Sequence, residues 1–407
     1  MGRSSAVEIP PVGAIALSAR SLAPDLARGA MLLLIALANI CLYQYGSLRL
    51  GDGLWLRGHP FVDQVIVFLE TIFVRDRAYP MYALLFGYGI VQLLRRHASR
   101  GIDELAVCRI VRRRGWWMVL IGLCHALLLF CGDIIGAYGL IAVLLVEVMF
   151  RATDRALLIT SALWVVPIGL FRGLEHRLSL LHDKASATPG LLYAAELRVL
   201  QWIQGSIIGS MFMLVPAVLL GVWAARRRLL DEPARHRRFL AHAAVLGIGL
   251  AAAGGLPWAL VRATWWRPSS DALSLLAGGA HTFSGYAGGV GYAAIAGLVA
   301  IRVQQRDRTG PVIDALAACG QRSMTCYLLQ SVVFVAVLAA YGGGLANQLG
   351  LIELAALATV TWVITVLLAD AMRRHGYRGP AETLLRQLTY RTTETTSRRI
   401  QVPVPRG

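Results

Sequence analysis

The chain has 407 residues, of which 57% are hydrophobic and only 15% charged, with a mean hydropathy of +0.59. A soluble protein of this length needs far more surface charge, so an integral membrane protein is the class that fits. The net charge of +17 does not point to nucleic acid, because the basic residues are scattered between apolar segments and not gathered on one domain.

Taken in chain order, residues 1–24 are mixed in character, with Pro10 and Pro11, and no cleavable leader is expected there. Ten segments have the length and polarity of membrane helices: 28–46, 78–95, 116–132, 134–150, 156–171, 203–225, 239–261, 272–301, 323–341 and 349–371. Two further stretches, 61–76 and 172–200, carry too much charge to span and read as interfacial. The eighth segment is glycine-rich, which suits close helix packing, a tilt or a break. The expected fold is therefore an all-α, polytopic bundle of about ten transmembrane helices. Placing both termini in the cytoplasm puts roughly thirty of the basic residues on the inner side, as the positive-inside rule favours.

Polar residues inside such segments are the candidate functional groups. His125 lies nine residues into the third segment, ~14 Å along a helix and so near mid-membrane. Asp133 follows eight residues later. On one continuous helix that spacing leaves the two ~12 Å apart along the axis, which argues against a direct dyad and for two stations along one path. Asp133 also precedes the fourth segment and suits an N-cap. Asn39, eleven residues beyond Arg28, reaches a depth like that of His125, so the two are expected to share a polar layer or to pack separately. Arg77 stands between the sixties stretch and the second segment, either as an interfacial anchor or as a holder of an anionic group. His59, with Asp52 and Asp63 nearby, is a second candidate proton carrier. Tyr327 and Gln330 lie one turn apart on the ninth segment, where such side chains hydrogen-bond between helices or to a substrate. The six cysteines have no metal-ligand spacing, and no metal is expected.

Several strings occur together in order: Asp25-x-x-Arg28-Gly29 followed by Asn39, the run through Gly87 to Gly89, His125 with Gly132-Asp133, Tyr327 with Gln330, and Arg378-Gly379-Pro380-x-Glu382. In these the chain resembles the bacterial inner-membrane proteins of the domain-of-unknown-function 418 (YeiB-like) family. The resemblance implies residues 1–27 as a cytoplasmic segment, 28–224 as an N-terminal transmembrane half, 225–391 as the family-defining C-terminal half and 392–407 as a flexible cytoplasmic tail. It implies structural roles for Asp25, Arg28, Gly29, Gly87, Gly132, Gly379 and Pro380, and matches His125 to the family's third-span histidine and Arg77 to a recurrent basic position. Gln321 and Cys326 depart from the family pattern, which has arginine and asparagine there.

More distantly the family is similar to multi-pass membrane acyltransferases. That likeness implies acyl-CoA as donor on the cytoplasmic side, held by Arg95, Arg96 and Arg112 to Arg114, with His125 as general base supported by Asp133. Asn39, Arg77, Tyr327 and Gln330 are the candidate substrate contacts. Expected partners are the bilayer, anionic lipid headgroups and a small-molecule or lipid-linked acceptor. The competing reading keeps the same residues in a proton-coupled transporter or exporter.

Overall fold

The computed structural model describes residues 21–43, 60–178, 190–306 and 309–398. His59 and Asp52, most of the N-terminal segment and the end of the tail lie outside them. The described residues form fourteen α-helices and no strand: α1 (Leu22–Ile40), α2 (Pro60–Phe73), α3 (Ala78–Ala98), α4 (Glu104–Leu128), α5 (Ile135–Arg151), α6 (Asp154–Leu178), α7 (Leu191–Gln201), α8 (Met211–Arg226), α9 (Arg237–Arg262), α10 (Asp271–Gln304), α11 (Pro311–Gln321), α12 (Ser323–Leu338), α13 (Leu351–Arg374) and α14 (Pro380–Arg398).

Six helical runs are long and apolar enough to cross a membrane, or seven if the α11–α12 pair, bent by 85°, counts as one. The expected count was ten. The difference falls on α3, α4 and α5, which span the expected second, third and fourth segments without reaching that length and apolarity. Arginines crowd the end of α3 and the first half of α4, and α5 is only 17 residues long. These three helices are nonetheless central, with Leu85, Val107, Ala137 and Ile141 fully buried. Each of α4 and α5 also keeps an exposed apolar face, with Trp116, Leu120, Leu128, Leu144 and Val148 outward. The glycine-rich eighth segment is an unbroken helix, α10, of 34 residues.

Small residues set the closest helix contacts, because inside a membrane packing replaces the hydrophobic effect as the force between helices. Gly29 lets α1 meet α11: an added Cβ would lie 2.0 Å from the Leu316 carbonyl oxygen. Gly87 and Gly221 do the same reciprocally for α3 and α8, against the Val218 and Leu84 carbonyls. Pro167, Pro216 and Pro257 lie within helices. Pro216 leaves the Phe212 carbonyl, four residues earlier, without its helical amide, and that carbonyl accepts the Trp164 indole N–H at 3.1 Å, the kind of side-chain repair that makes proline tolerable in such helices. Between α7 and α8 the helix does not break but widens into a π segment, Trp202–Ser210.

Candidate functional site

The third expected segment does not continue to Asp133. Helix α4 ends at Leu128, the amides of Leu129 and Phe130 both bond the His125 carbonyl, and the chain turns through Gly132 into α5. Gly132 is required at the turn, since a Cβ there would meet the Phe130 ring at 2.5 Å. The reversal carries Asp133 back onto His125: Nδ1 lies 2.9 Å from Oδ1, with the two side chains 1% and 0% exposed. The expectation of two separated stations is thereby overturned. It assumed one straight helix through 133, and the helix stops four residues short of the turn's end.

Asp133 also fills the capping role. Oδ1 accepts from the Ile135 amide at 3.1 Å and Oδ2 from the Gly136 amide at 2.7 Å. The indole Nε1–H of Trp202, from the π segment, donates to Oδ2 at 3.3 Å. With both carboxylate oxygens receiving donors, the His125–Asp133 proton sits on Nδ1. The Nε2 of His125 then carries the ring's lone pair, and it is sealed from solvent with no hydrogen-bond partner. Gly122 and Gly136 leave room for this shell: a Cβ on either would lie 2.5 Å and 3.2 Å from Asp133 Oδ2. The rings of Tyr327 and Phe130 pack on the imidazole at 5.2 Å and 6.3 Å between centroids.

A cavity of about 360 Å³ lies beside this pair, though neither His125 nor Asp133 lines it. Its inner walls are Tyr82, Phe86, Met118, Tyr138 and Tyr327, and it reaches Ile134 and Ile135, which directly follow Asp133. Its other end carries Arg28, Arg96, Arg100, Arg114, Arg322, Arg378 and Arg386 against two carboxylates, Asp25 and Glu382. Both acids have protein partners: Asp25 lies 3.5 Å from Arg28, and Glu382 bonds the Met324 and Thr325 amides. The expected arginine cluster divides. Arg96 and Arg114 line the cavity, whereas Arg95 bonds the Arg226 carbonyl, Arg112 pairs with Glu147 at 2.8 Å and Arg113 bonds the Leu388 carbonyl.

Asn39 accepts the Tyr79 hydroxyl at 2.6 Å, and Tyr79 lies within electrostatic range of Tyr138 and Tyr327. Gln330, one turn beyond Tyr327, is 2% exposed and both ends of its amide lack partners. A further turn along, Phe334 packs with Tyr43, which stacks on Phe130.

Arg77 stands apart from all of this. Its guanidinium bonds the Arg75 and Ala251 carbonyls and the His281 ring at 2.8 Å, and the side chain is fully buried. It is committed to protein partners away from the cavity, so the structure does not bring it to the other candidate residues. Around it lies a second ionic cluster that sequence reasoning missed. Arg262 pairs with Glu70 at 2.7 Å, and Asp76 receives Arg172 and the Thr282 hydroxyl. His281 and Trp202 carry no sequence signal of their own: each sits in an apolar run whose register against distant helices sets its partner.

The family-motif residues have structural tasks. Pro380 opens α14, and Glu382 reaches across to the first turn of α12, its Oε2 2.5 Å from the Thr325 hydroxyl. Gly379 is needed there because a Cβ would collide with that carboxylate at 2.0 Å. Arg28 bonds the Leu85 carbonyl at 2.8 Å and ties α1 to α3. At the two positions that depart from the family pattern, Gln321 lines the cavity and Cys326 faces the Thr365 carbonyl in the α12–α13 seam. Glu382→Ala is expected to lower stability by ~1–2 kcal/mol, since it removes a cap from α12. Thermal unfolding of the purified protein in detergent measures this, and an unchanged midpoint counts against the capping role.

Buried helices, membrane-length apolar runs and an enclosed polar pair define a multi-pass integral membrane protein. Residues 224–392 match the family described as "Protein of unknown function (DUF418)". The chain is similar to the uncharacterized protein YxaH of Bacillus subtilis (strain 168), 22% identical over 417 residues, covering 93% of this chain and 96% of that one. It is similar as well to the uncharacterized protein YeiB of Escherichia coli (strain K12), 26% identical over 402 residues, covering 91% and 97%. The chain is thus similar over nearly its whole length to two uncharacterized bacterial proteins, and its C-terminal part matches the DUF418 family model.

Proposed function

We propose that this protein transfers an acyl group from a cytoplasmic acyl-CoA to an acceptor at or across the bacterial inner membrane, with His125 as general base. In this reading ten segments cross the membrane, both termini are cytoplasmic, and the arginine-bearing end of the cavity opens to the cytoplasm. The observation that carries the proposal is the free Nε2 of His125, its ring fixed by Asp133, behind the closed end of an arginine-mouthed cavity.

Distance supports it. Arg114 and His125 lie on one helix, eleven residues and ~16 Å apart. That is the reach of about five extended residues, and the pantetheine arm of CoA, an extended chain with two amides, is of similar length. Phosphates on the arginines would leave the thioester near His125. Nε2 would take the proton from an acceptor hydroxyl or amine as its oxygen or nitrogen bonds to the thioester carbon. The C–S bond then breaks, and the departing thiolate takes that proton from the imidazolium and leaves as free CoA thiol. Asp133, held by two amides and Trp202, supports the transient charge on the ring. Gln330 is placed to orient the acceptor, and Asn39 and Tyr327 to hold the layer in which it lies.

The test is thiol release from acetyl-CoA by the purified protein supplied with inner-membrane lipid extract as acceptor source. Release that depends on both protein and extract is expected; its absence across short and long acyl-CoA donors overturns the reading. The second buried cluster around Arg77, His281 and Asp76 favours one alternative, proton-coupled export by a relay of buried ionisable groups. Proton-driven flux in sealed vesicles, lost in Asp133→Asn and accompanied by no thioester consumption, would select it.

A further inference from the structure

The mouth of the cavity holds a second histidine that the transfer reaction does not use. His97 ends α3 between Arg96 and Arg100 and lines the cavity with Arg114 of α4. It is 4% exposed. Its Nδ1 lies 2.9 Å from the Leu93 carbonyl, which has no proton to give, so Nδ1 is the donor. Nε2 is sealed from solvent and has no partner. With Nδ1 donating and no acceptor facing Nε2, this nitrogen presents a lone pair, an acceptor set among guanidinium groups. The oxygen of an ionised phosphate diester cannot satisfy it, because such a group brings only acceptors. The matching ligand carries anionic oxygens for the arginines and, beside them, a hydroxyl or amino donor for the imidazole.

We infer that the mouth is a nucleoside-phosphate subsite in which Arg96, Arg100 and Arg114 take phosphate and His97 Nε2 accepts a hydrogen bond from a ribose hydroxyl or base amino group. This rests on the acyl-CoA reading for its biological ligand, though not for its test. An unmet buried acceptor costs free energy until a donor arrives, so the empty subsite is biased toward such a ligand. Asp25, Arg28, Glu382, Arg386 and Tyr390 border the same space, and Asp25 and Glu382 are already bound to protein groups. A phosphoethanolamine headgroup offers the same pairing of phosphate with an N–H donor and is the alternative source of this chemistry.

The probes are adenosine 3′,5′-bisphosphate and inorganic sulfate, an anion with no proton to donate, titrated calorimetrically against the full chain in detergent. Binding of the bisphosphate is expected, weakened about five- to tenfold in His97→Leu, the worth of one hydrogen bond. His97→Gln, which restores an acceptor, should recover most of that loss, and sulfate affinity should stay unchanged in both variants. Arg114→Gln should weaken both probes. The inference is overturned if the bisphosphate does not bind, if His97→Leu leaves its affinity unchanged, or if His97→Leu weakens both probes equally. In nanodiscs, equal nucleotide affinity with phosphatidylethanolamine and phosphatidylcholine supports the nucleotide assignment. Loss of binding in phosphatidylethanolamine alone would give the subsite to lipid and overturn it. If the bisphosphate binds as expected but no acyl-CoA is consumed, the subsite stands and the acyl-transfer reading falls.

Discussion

Asp133→Asn is expected to damage both the fold and the chemistry. The carboxylate receives His125 Nδ1, two backbone amides and the Trp202 indole while fully buried. An asparagine offers one oxygen for these donors and turns an NH₂ toward the rest, so at least one buried N–H faces another. Leaving buried donors without an acceptor costs ~1–3 kcal/mol each, and the total expected loss is ~2–4 kcal/mol. The substitution also lets the imidazole take the other tautomer, with the proton on Nε2. In a triad of similar logic that change alone slows turnover ~10⁴-fold; with a solvent-free base the loss here is expected at ~10²–10⁴-fold. Thermal unfolding and thiol release from acetyl-CoA, measured on the same preparation, check the two halves. A stable variant with full turnover would remove Asp133 from both roles.

His125→Gln is expected to separate chemistry from fold. The glutamine amide still has an N–H for Asp133 Oδ1, so stability should change little. It has no basic nitrogen, so turnover should fall ~10²–10⁴-fold, the range typical for losing a general base. CoA affinity should remain within about twofold, because the contacts that hold the donor lie ~16 Å away at the arginines. Equal losses of binding and turnover would place His125 in donor recognition instead. Retained turnover would remove it from the reaction.

Much of the helical architecture was legible in the chain. The periodic apolar runs gave the all-α class and most helix positions, and a histidine in the middle of one run marked a buried polar group. What failed was geometry between elements. Gly132 and Asp133 mark a break in the run, but the apolar residues from Leu127 to Cys131 do not show that the helix has already ended at Leu128. Reading straight through separated His125 from Asp133, which the turn in fact brings together. Arg77 misled for a related reason: its charge is visible in sequence, but the Ala251 carbonyl and His281 that absorb it come from two distant helices. Trp202 had no marker because a π segment differs from an α-helix only in hydrogen-bond register. The arginines divided in the same way, since whether one faces the cavity or a neighbouring carboxylate depends on helix rotation. The expected ten spans and the six or seven that pass on length and apolarity part at α3, α4 and α5, where arginines interrupt the apolar run or the helix is short.

The central claim is that the reactive end of a CoA thioester reaches His125 Nε2 from the arginine-lined mouth. Bromoacetyl-CoA tests it most directly, because its bromomethyl carbon sits beside the acyl carbonyl and alkylates a free imidazole nitrogen with loss of bromide. Peptide mass spectrometry of the labelled full-length protein is predicted to find the adduct on His125, suppressed by excess CoA and absent from His125→Gln. Saturating reagent that leaves His125 unmodified, or labelling of His125 that CoA does not suppress, would contradict the account.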